Sequence, residues 1–188
     1  MKKSIMIVGV GGQGTLLSSR ILGNIALKMG LDVKVSEVHG MSQRGGSVVT
    51  YVKFGDNVYS PIVEEGEADY ILAFELLEAY RALPFLKTTG TMIVNEQEID
   101  PMPVITGALE YPKDILSKLK NKINVISLDA LSLAKEAGNS KCANVVLIGV
   151  FAKISGIDKD KWIEVIKETV KEKFIDVNLK AFELGYNL

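Results

Sequence analysis

The sequence predicts an α/β fold: a Rossmann-like, mostly parallel sheet with helices on both faces, a β-hairpin inserted after the second strand, and a helical C-terminal third. Three observations carry that reading. The chain opens on an apolar run, Ile5-Met6-Ile7-Val8, which breaks into close-set glycines and then into an amphipathic helix. Short apolar segments alternate with segments of helical period through the middle of the chain. From Asn144 onward the apolar residues recur at helical spacing. With 188 residues and 47% hydrophobic content there is enough chain for one good core and too little for two, so residues 1–188 read as a single domain.

The elements follow in order. Gly9, Gly11 and Gly14 fit the spacing G-x-G-x-x-G, in which the first glycine allows a tight turn, the second lets a phosphate approach the backbone, and the third lets helix pack on strand. In the helix after them, Leu17, Ile21 and Ile25 share a face with Leu22, Ala26 and Met29, and Gly30 stops it. Residues 33–38 form the second strand, ending with Glu37 and His39 beside a glycine-rich loop. A crossover helix is expected next in a dinucleotide fold. Instead, residues 48–54, the turn Gly55-Asp56-Asn57 and residues 58–60 read as a strand, a turn and a returning strand.

Strands at 69–74, 91–95 and 123–128 then alternate with helices at 75–86, 113–120 and 130–137, with a proline-rich stretch at 100–103. The helix at 144–154 is apolar nearly all round, which places it deep in the core or under another chain. Asp158 caps the next helix, where Trp162, Ile166 and Val170 form a stripe that Phe174 continues. A last helix spans 177–184 and ends at Gly185.

Composition excludes several functions. A net charge of −1 and a pI near 5.9 leave no broad basic surface for nucleic acid. No apolar run reaches membrane-spanning length, and the start of the chain runs directly into a strand, so no membrane association and a cytoplasmic location are expected. Cys142 is the one cysteine, which excludes an internal disulfide and an iron–sulfur cluster held by this chain, since such clusters take about four thiolates. His39 is the one histidine, so a histidine-based zinc site is not expected. No metal site and no catalytic nucleophile–base pair is assigned.

Two segments hold the candidate binding residues. In the first loop Gly9, Gly11, Gly12, Gln13 and Gly14 place backbone N–H groups and the positive end of a helix dipole where an anion could sit; the alternative is a packed turn. In the second, Ser42, Gln43, Arg44, Gly45 and Gly46 join flexible backbone to neutral donors and a guanidinium fork suited to carboxylate or phosphate; the alternative is a solvated loop. Glu37 lies about where an acid bonds the ribose in a dinucleotide fold, which keeps a free-standing dinucleotide-binding module as an alternative. His39 is read as a hydrogen-bonding or interface residue, and Cys142 as a small buried one.

Together, Gly-Val-Gly-Gly-Gln-Gly at 9–14, Ser-Arg-Ile-Leu-Gly at 19–23 and Glu-Val-His-Gly-Met-Ser-Gln-Arg-Gly-Gly at 37–46 resemble the gamma-type module of the 2-oxoacid:ferredoxin oxidoreductases. The likeness extends over essentially the whole chain, including Asn144 and Gly149, and the wording at 39–46 is similar to that of indolepyruvate-type members. The resemblance implies a small subunit, without activity of its own, of an enzyme that oxidatively decarboxylates arylpyruvates to aryl-acetyl-CoA and reduces ferredoxin. It implies a large alpha subunit bearing thiamine diphosphate and [4Fe-4S] clusters, with CoA as co-substrate and no cofactor bound by this chain alone. A gamma subunit of a pyruvate- or 2-ketoisovalerate-type enzyme is the alternative within the family.

Overall fold

The computed structural model describes residues 2–40 and 45–188. Its strands are β1 (Lys3–Val10), β2 (Asp32–His39), β3 (Ser47–Gly55), β4 (Ala68–Ala73), β5 (Leu86–Asn95) and β6 (Asn124–Leu128). They form one sheet in the order β2-β3-β1-β4-β5-β6. β1, β4, β5 and β6 pair in parallel, whereas β3 runs antiparallel to both β1 and β2. The helices are α1 (Thr15–Lys28), α2 (Leu76–Ala82), α3 (Met102–Ile105), α4 (Ile115–Lys120), α5 (Ala130–Ala137), α6 (Ala143–Ser155), α7 (Lys159–Thr169) and α8 (Ile175–Tyr186).

Strand alternation divides the core. Ile5 and Ile7 of β1 pack with α1, α5, α6, α7 and α8, while Met6 and Val8 turn to the opposite face against α2 and α4. A sheet buried on both sides explains why β1 and β4 read as continuous apolar runs. The expected helix end at Gly30 is a Schellman close: Gly30 has φ +72°, and the Leu31 N–H reaches the Ala26 carbonyl at 3.0 Å.

The inserted hairpin is present, but its arms differ from those the sequence suggested. Residues 58–60 form no strand; β3 folds back on β2, with His39 opposite Val48 and Asp32 opposite Gly55. The hairpin is therefore made of β2 and β3, with Gly45 and Gly46 leading into β3, and β3 wedges between β2 and β1. The turn at 55–57 leads into irregular chain because Asp32 takes the Val58 N–H at 2.9 Å, which diverts the backbone from a second pairing.

Further boundaries shift for local reasons. The helix expected to reach Leu86 stops at Ala82, and the turn Leu83–Phe85, with Pro84, delivers the chain into β5. α7 ends at Thr169 because Val170 is extended, so the stripe stops there and Phe174 is exposed. α8 begins at Ile175 and passes through Gly185. Gly185 does not end the helix; it admits α6. A Cβ there would lie 2.0 Å from the Val146 carbonyl oxygen, and one on Gly149 would lie 2.2 Å from that of Phe182. The apolar helix at 143–155 is thus buried within this chain, by α8 and the sheet.

Candidate functional site at the glycine loops

The loop after β1 leaves the sheet at the C-terminal ends of β1 and β4, where the connections diverge to opposite faces. In a sheet of this kind ligands bind at that point. Gly12 and Gly14 have φ of +106° and +86°, in the region where glycine is favoured. Gly14 precedes α1, whose N-terminus has no side-chain cap and no acid in its first turn. The first-turn N–H groups and the helix dipole give that end a positive potential.

Gln13 folds back into the molecule. Its Oε1 accepts the Val10 N–H at 2.7 Å, and its Nε2 donates to the Phe74 carbonyl at 2.9 Å and to Gln97 Oε1 at 3.1 Å. Asn95 Nδ2 donates to the same Phe74 carbonyl at 3.0 Å, and Asn95 Oδ1 takes the Ala130 N–H at 3.0 Å. Three amide side chains thereby bind together the ends of β1, β4 and β5 and the start of α5. Gly9 makes room for this: a Cβ on it would meet Gln13 Oε1 at 2.8 Å and Phe74 Cβ at 3.1 Å.

The two glycine segments meet. The Gly11 N–H donates to the Gly46 carbonyl at 2.8 Å, and the Gly45 N–H reaches the Gly11 carbonyl at 3.4 Å. Gly11, the position at which a phosphate would approach in the dinucleotide motif, has its N–H committed to the hairpin connection. Ser47 secures the far side by donating to Glu78 at 2.6 Å. Ser42, Gln43 and Arg44 lie outside the described residues.

Gly14 packs against a helix rather than a strand. Asn144, at the start of α6 and 2% exposed, donates Nδ2 to the Gly14 carbonyl at 3.1 Å, and a Cβ on Gly14 would lie 2.7 Å from that nitrogen. Among the described residues, Asn144 Oδ1 is buried without a hydrogen-bond partner. It borders a cavity of about 170 Å³ shared with Gly12, Gln13, Phe74, Gln97 and Lys141. A second cavity of about 370 Å³ lies across the loop at the N-terminus of α1, lined by Gly12, Thr15, Glu37 and His39.

Glu37 faces this second cavity from β2, and its Oε2 accepts from the hydroxyls of Thr15 at 3.4 Å and Thr50 at 3.2 Å. A carboxylate thus already stands beside the positive end of α1 and opposes a bare anion there. His39 is exposed, with Nδ1 3.1 Å from the Gly40 carbonyl. Cys142 is buried, and burial pushes its thiol pKa up, away from the reactive thiolate.

Sequence reasoning did not reach Gln97, Asn95, Thr15 or Thr50. Asn95 and Gln97 did leave a trace, as amides at the C-terminal end of an apolar strand, where this fold class carries its sites.

The model of the family described as "Pyruvate ferredoxin/flavodoxin oxidoreductase" matches residues 4–188. The chain is 46% identical over 188 residues to the indolepyruvate oxidoreductase subunit IorB of Pyrococcus horikoshii, covering 97% of this chain and 93% of that protein. It is 45% identical over 190 residues to the subunit of the same name from Thermococcus kodakarensis, again covering 97% and 93%. Its fold is like that of the keto/oxoacid ferredoxin oxidoreductase gamma subunit of Geobacter sulfurreducens, at a TM-score of 0.74 and 23% identity over 98% of this chain and 96% of that one. The match across nearly the whole length, on a sheet whose inserted β3 joins the two glycine segments, gives the conclusion: this chain belongs to the pyruvate ferredoxin/flavodoxin oxidoreductase family.

Proposed function

We propose that this chain is the small subunit of an indolepyruvate:ferredoxin oxidoreductase, which oxidatively decarboxylates arylpyruvates to aryl-acetyl-CoA. The observation that carries the reading is the 46% identity, over nearly all of both chains, to a protein named indolepyruvate oxidoreductase subunit IorB. The electron-carrying groups belong to a large alpha subunit in this reading. One buried thiol cannot hold a [4Fe-4S] cluster, which takes about four thiolates. The thiamine diphosphate is assigned to the same large subunit, as the resemblance implies, and no redox step is assigned to this chain.

What the chain supplies is a surface. Gly12 and Gly14, the uncapped start of α1, and Arg44 with Ser42, Gln43, Gly45 and Gly46 form the contact for the partner or for an anionic part of CoA. Arg44 acts by position and charge, since a guanidinium keeps its proton at neutral pH. The positive end of α1 supports an anion contact; Glu37 beside it directs that contact toward Gly12 and the second loop. The test is anaerobic co-expression with the large subunit, followed by indolepyruvate- and CoA-dependent ferredoxin reduction. Turnover is expected from the pair and not from either chain alone. Arg44→Ala is expected to raise the KM for CoA or weaken assembly; if both stay unchanged, the loop has no such role.

Glu37 at the 370 Å³ cavity favours one other reading, a free-standing dinucleotide-binding module. Against it, β3 separates β2 from β1, and Glu37 is engaged by two threonine hydroxyls. Titration with NAD(H), NADP(H) and FAD decides, with micromolar binding of any of them supporting that reading.

A further inference from the structure

Between β5 and α4 the chain leaves the sheet for residues 96–114. Both ends of this excursion are gathered on one carboxylate. The Ile99 N–H reaches Glu75 Oε1 at 3.1 Å, and the Tyr111 hydroxyl donates to the same oxygen. The Leu76 N–H adds a bond to the Gln97 carbonyl at 2.9 Å. Glu75 itself is 1% exposed. The result is a closed, compact arc of the Ω-loop type.

Hydrogen bonds hold the arc internally. The N–H groups of Ala108 and Leu109 both end on the Pro103 carbonyl, at 2.9 and 3.0 Å, and Thr106 Oγ1 bonds the Met102 carbonyl at 3.0 Å. Its outer side nevertheless carries Met102, Ile105 and Leu109 at 66%, 65% and 65% exposure. Single exposed apolar residues are ordinary, but Met102 and Ile105 line one cavity and Leu109 is exposed four residues on along the same bonded arc, which marks a contact surface. The patch continues across a cavity of about 310 Å³ to Gly45 and Gly46.

Charge selects the occupant. Glu96, Glu98, Asp100 and Glu110 flank these side chains in the sequence and are all exposed, Asp100 lines the same cavity as Met102 and Ile105, and no Lys or Arg occurs from residue 88 to residue 112. A second copy docking through the same patch would set these acids against one another, and an anionic lipid surface would repel them. We infer that this arc is the surface on which the chain docks to its larger partner subunit, which meets Met102, Ile105 and Leu109 with an apolar groove rimmed by Lys or Arg. The inference rests on the proposal that the chain works within a two-subunit enzyme.

The test measures affinity between the co-expressed large subunit and purified variants of this chain, by anaerobic calorimetry, with each fold checked by thermal melting. Met102→Asp combined with Ile105→Asp is expected to weaken assembly by roughly a hundredfold, as loss of central apolar anchors does. Leu109→Ser is a gentler variant should the double one melt early, with a loss of about tenfold expected. Leu27→Asp, 60% exposed on α1, is expected to change nothing. Glu98→Lys with Asp100→Lys is expected to slow association and flatten its salt dependence. Folded Met102 and Ile105 variants that assemble at wild-type affinity overturn the docking surface alone. Failure of the wild-type chain to assemble overturns the subunit reading and the docking surface with it. Self-association of the wild-type chain abolished by Ile105→Asp makes the occupant a second copy and overturns the inference too.

Discussion

Tyr111 donates its hydroxyl proton to Glu75, a carboxylate 36 residues earlier in the chain, and accepts the Leu77 N–H at 3.1 Å. One phenol thus ties the arc at 96–114 both to the acid that caps α2 and to α2 itself. Tyr111→Phe keeps the ring and removes both bonds, so it is expected to cost about 1–3 kcal/mol in urea unfolding. Amide exchange at Ile99 and Leu109 should quicken more than in β1. Unchanged exchange at Ile99 would show that the arc is closed by something else.

Glu75 gives stability a pH dependence of unusual sign. Burial raises its pKa above the ordinary 4.5, and the neighbouring Glu78 adds to this, outweighing the hydrogen bonds from Tyr111 and the N–H groups of Glu78 and Ile99. A carboxyl raised in the fold binds its proton more readily there than in the unfolded chain. Its contribution is therefore complete below the unfolded pKa and is lost as pH rises through the folded one. Relative to Glu75→Gln, the wild type is expected to lose stability as pH climbs from about 4, then to level off. A flat difference between pH 4 and 7 would contradict this.

Lys53 and Glu67 supply the opposite slope. Burial pushes Glu67 up, but the Lys53 ammonium at 2.6 Å and the Glu64 N–H outweigh it and bring the carboxyl below 4.5. Its contribution is present above the unfolded pKa and is lost as pH falls. Lys53, 7% exposed, also bonds the Ile62 carbonyl at 2.6 Å. Lys53→Met is expected to cost about 1–3 kcal/mol at neutral pH and to flatten the loss of stability toward acid. Unfolding curves at pH 3 to 7 check both effects.

Gln13 and Asn144 both hold the first glycine loop, yet they should differ under substitution. Gln13→Ala removes three hydrogen bonds and leaves the Val10 N–H without its acceptor, a loss of about 2–4 kcal/mol. Asn144→Ala removes one bond to Gly14 and at the same time a buried Oδ1 without a partner among the described residues, so its net cost should be near 1 kcal/mol. Equal losses at the two positions would mean that Asn144 Oδ1 is satisfied in solution.

Gly185→Ala probes the crossing of α6 and α8. The added methyl would overlap the Val146 carbonyl, and the backbones must part to admit it. A loss of about 3 kcal/mol or more is expected, although alanine is the better helix former. A neutral effect on thermal melting would refute the close crossing.

Much of the architecture was legible in the sequence because its signals are local. The apolar run at β1, the glycine stop at Gly30 and the helix at 130–137 each depend on residues within a turn or two of one another. The hairpin partner was not legible: residues 58–60 had the composition of a strand, but pairing register is chosen by which face each strand buries. Within the candidate site, the glycines were found by their spacing and their work was not. Gly11 gives its N–H to Gly46, and Gly14 yields space to Asn144, partners 35 and 130 residues away.

By itself the sequence determined the fold class and the inability of one thiol to hold a four-cysteine cluster, because period, turn chemistry and ligand count are written in residue order. Only the tertiary structure decided that β3 separates β1 from β2, that Gln13 closes the ends of three strands, and that Glu75 gathers Ile99 and Tyr111 into a projecting arc. Those relations join residues far apart in the chain, and they exist only where packing brings a donor within reach of an acceptor.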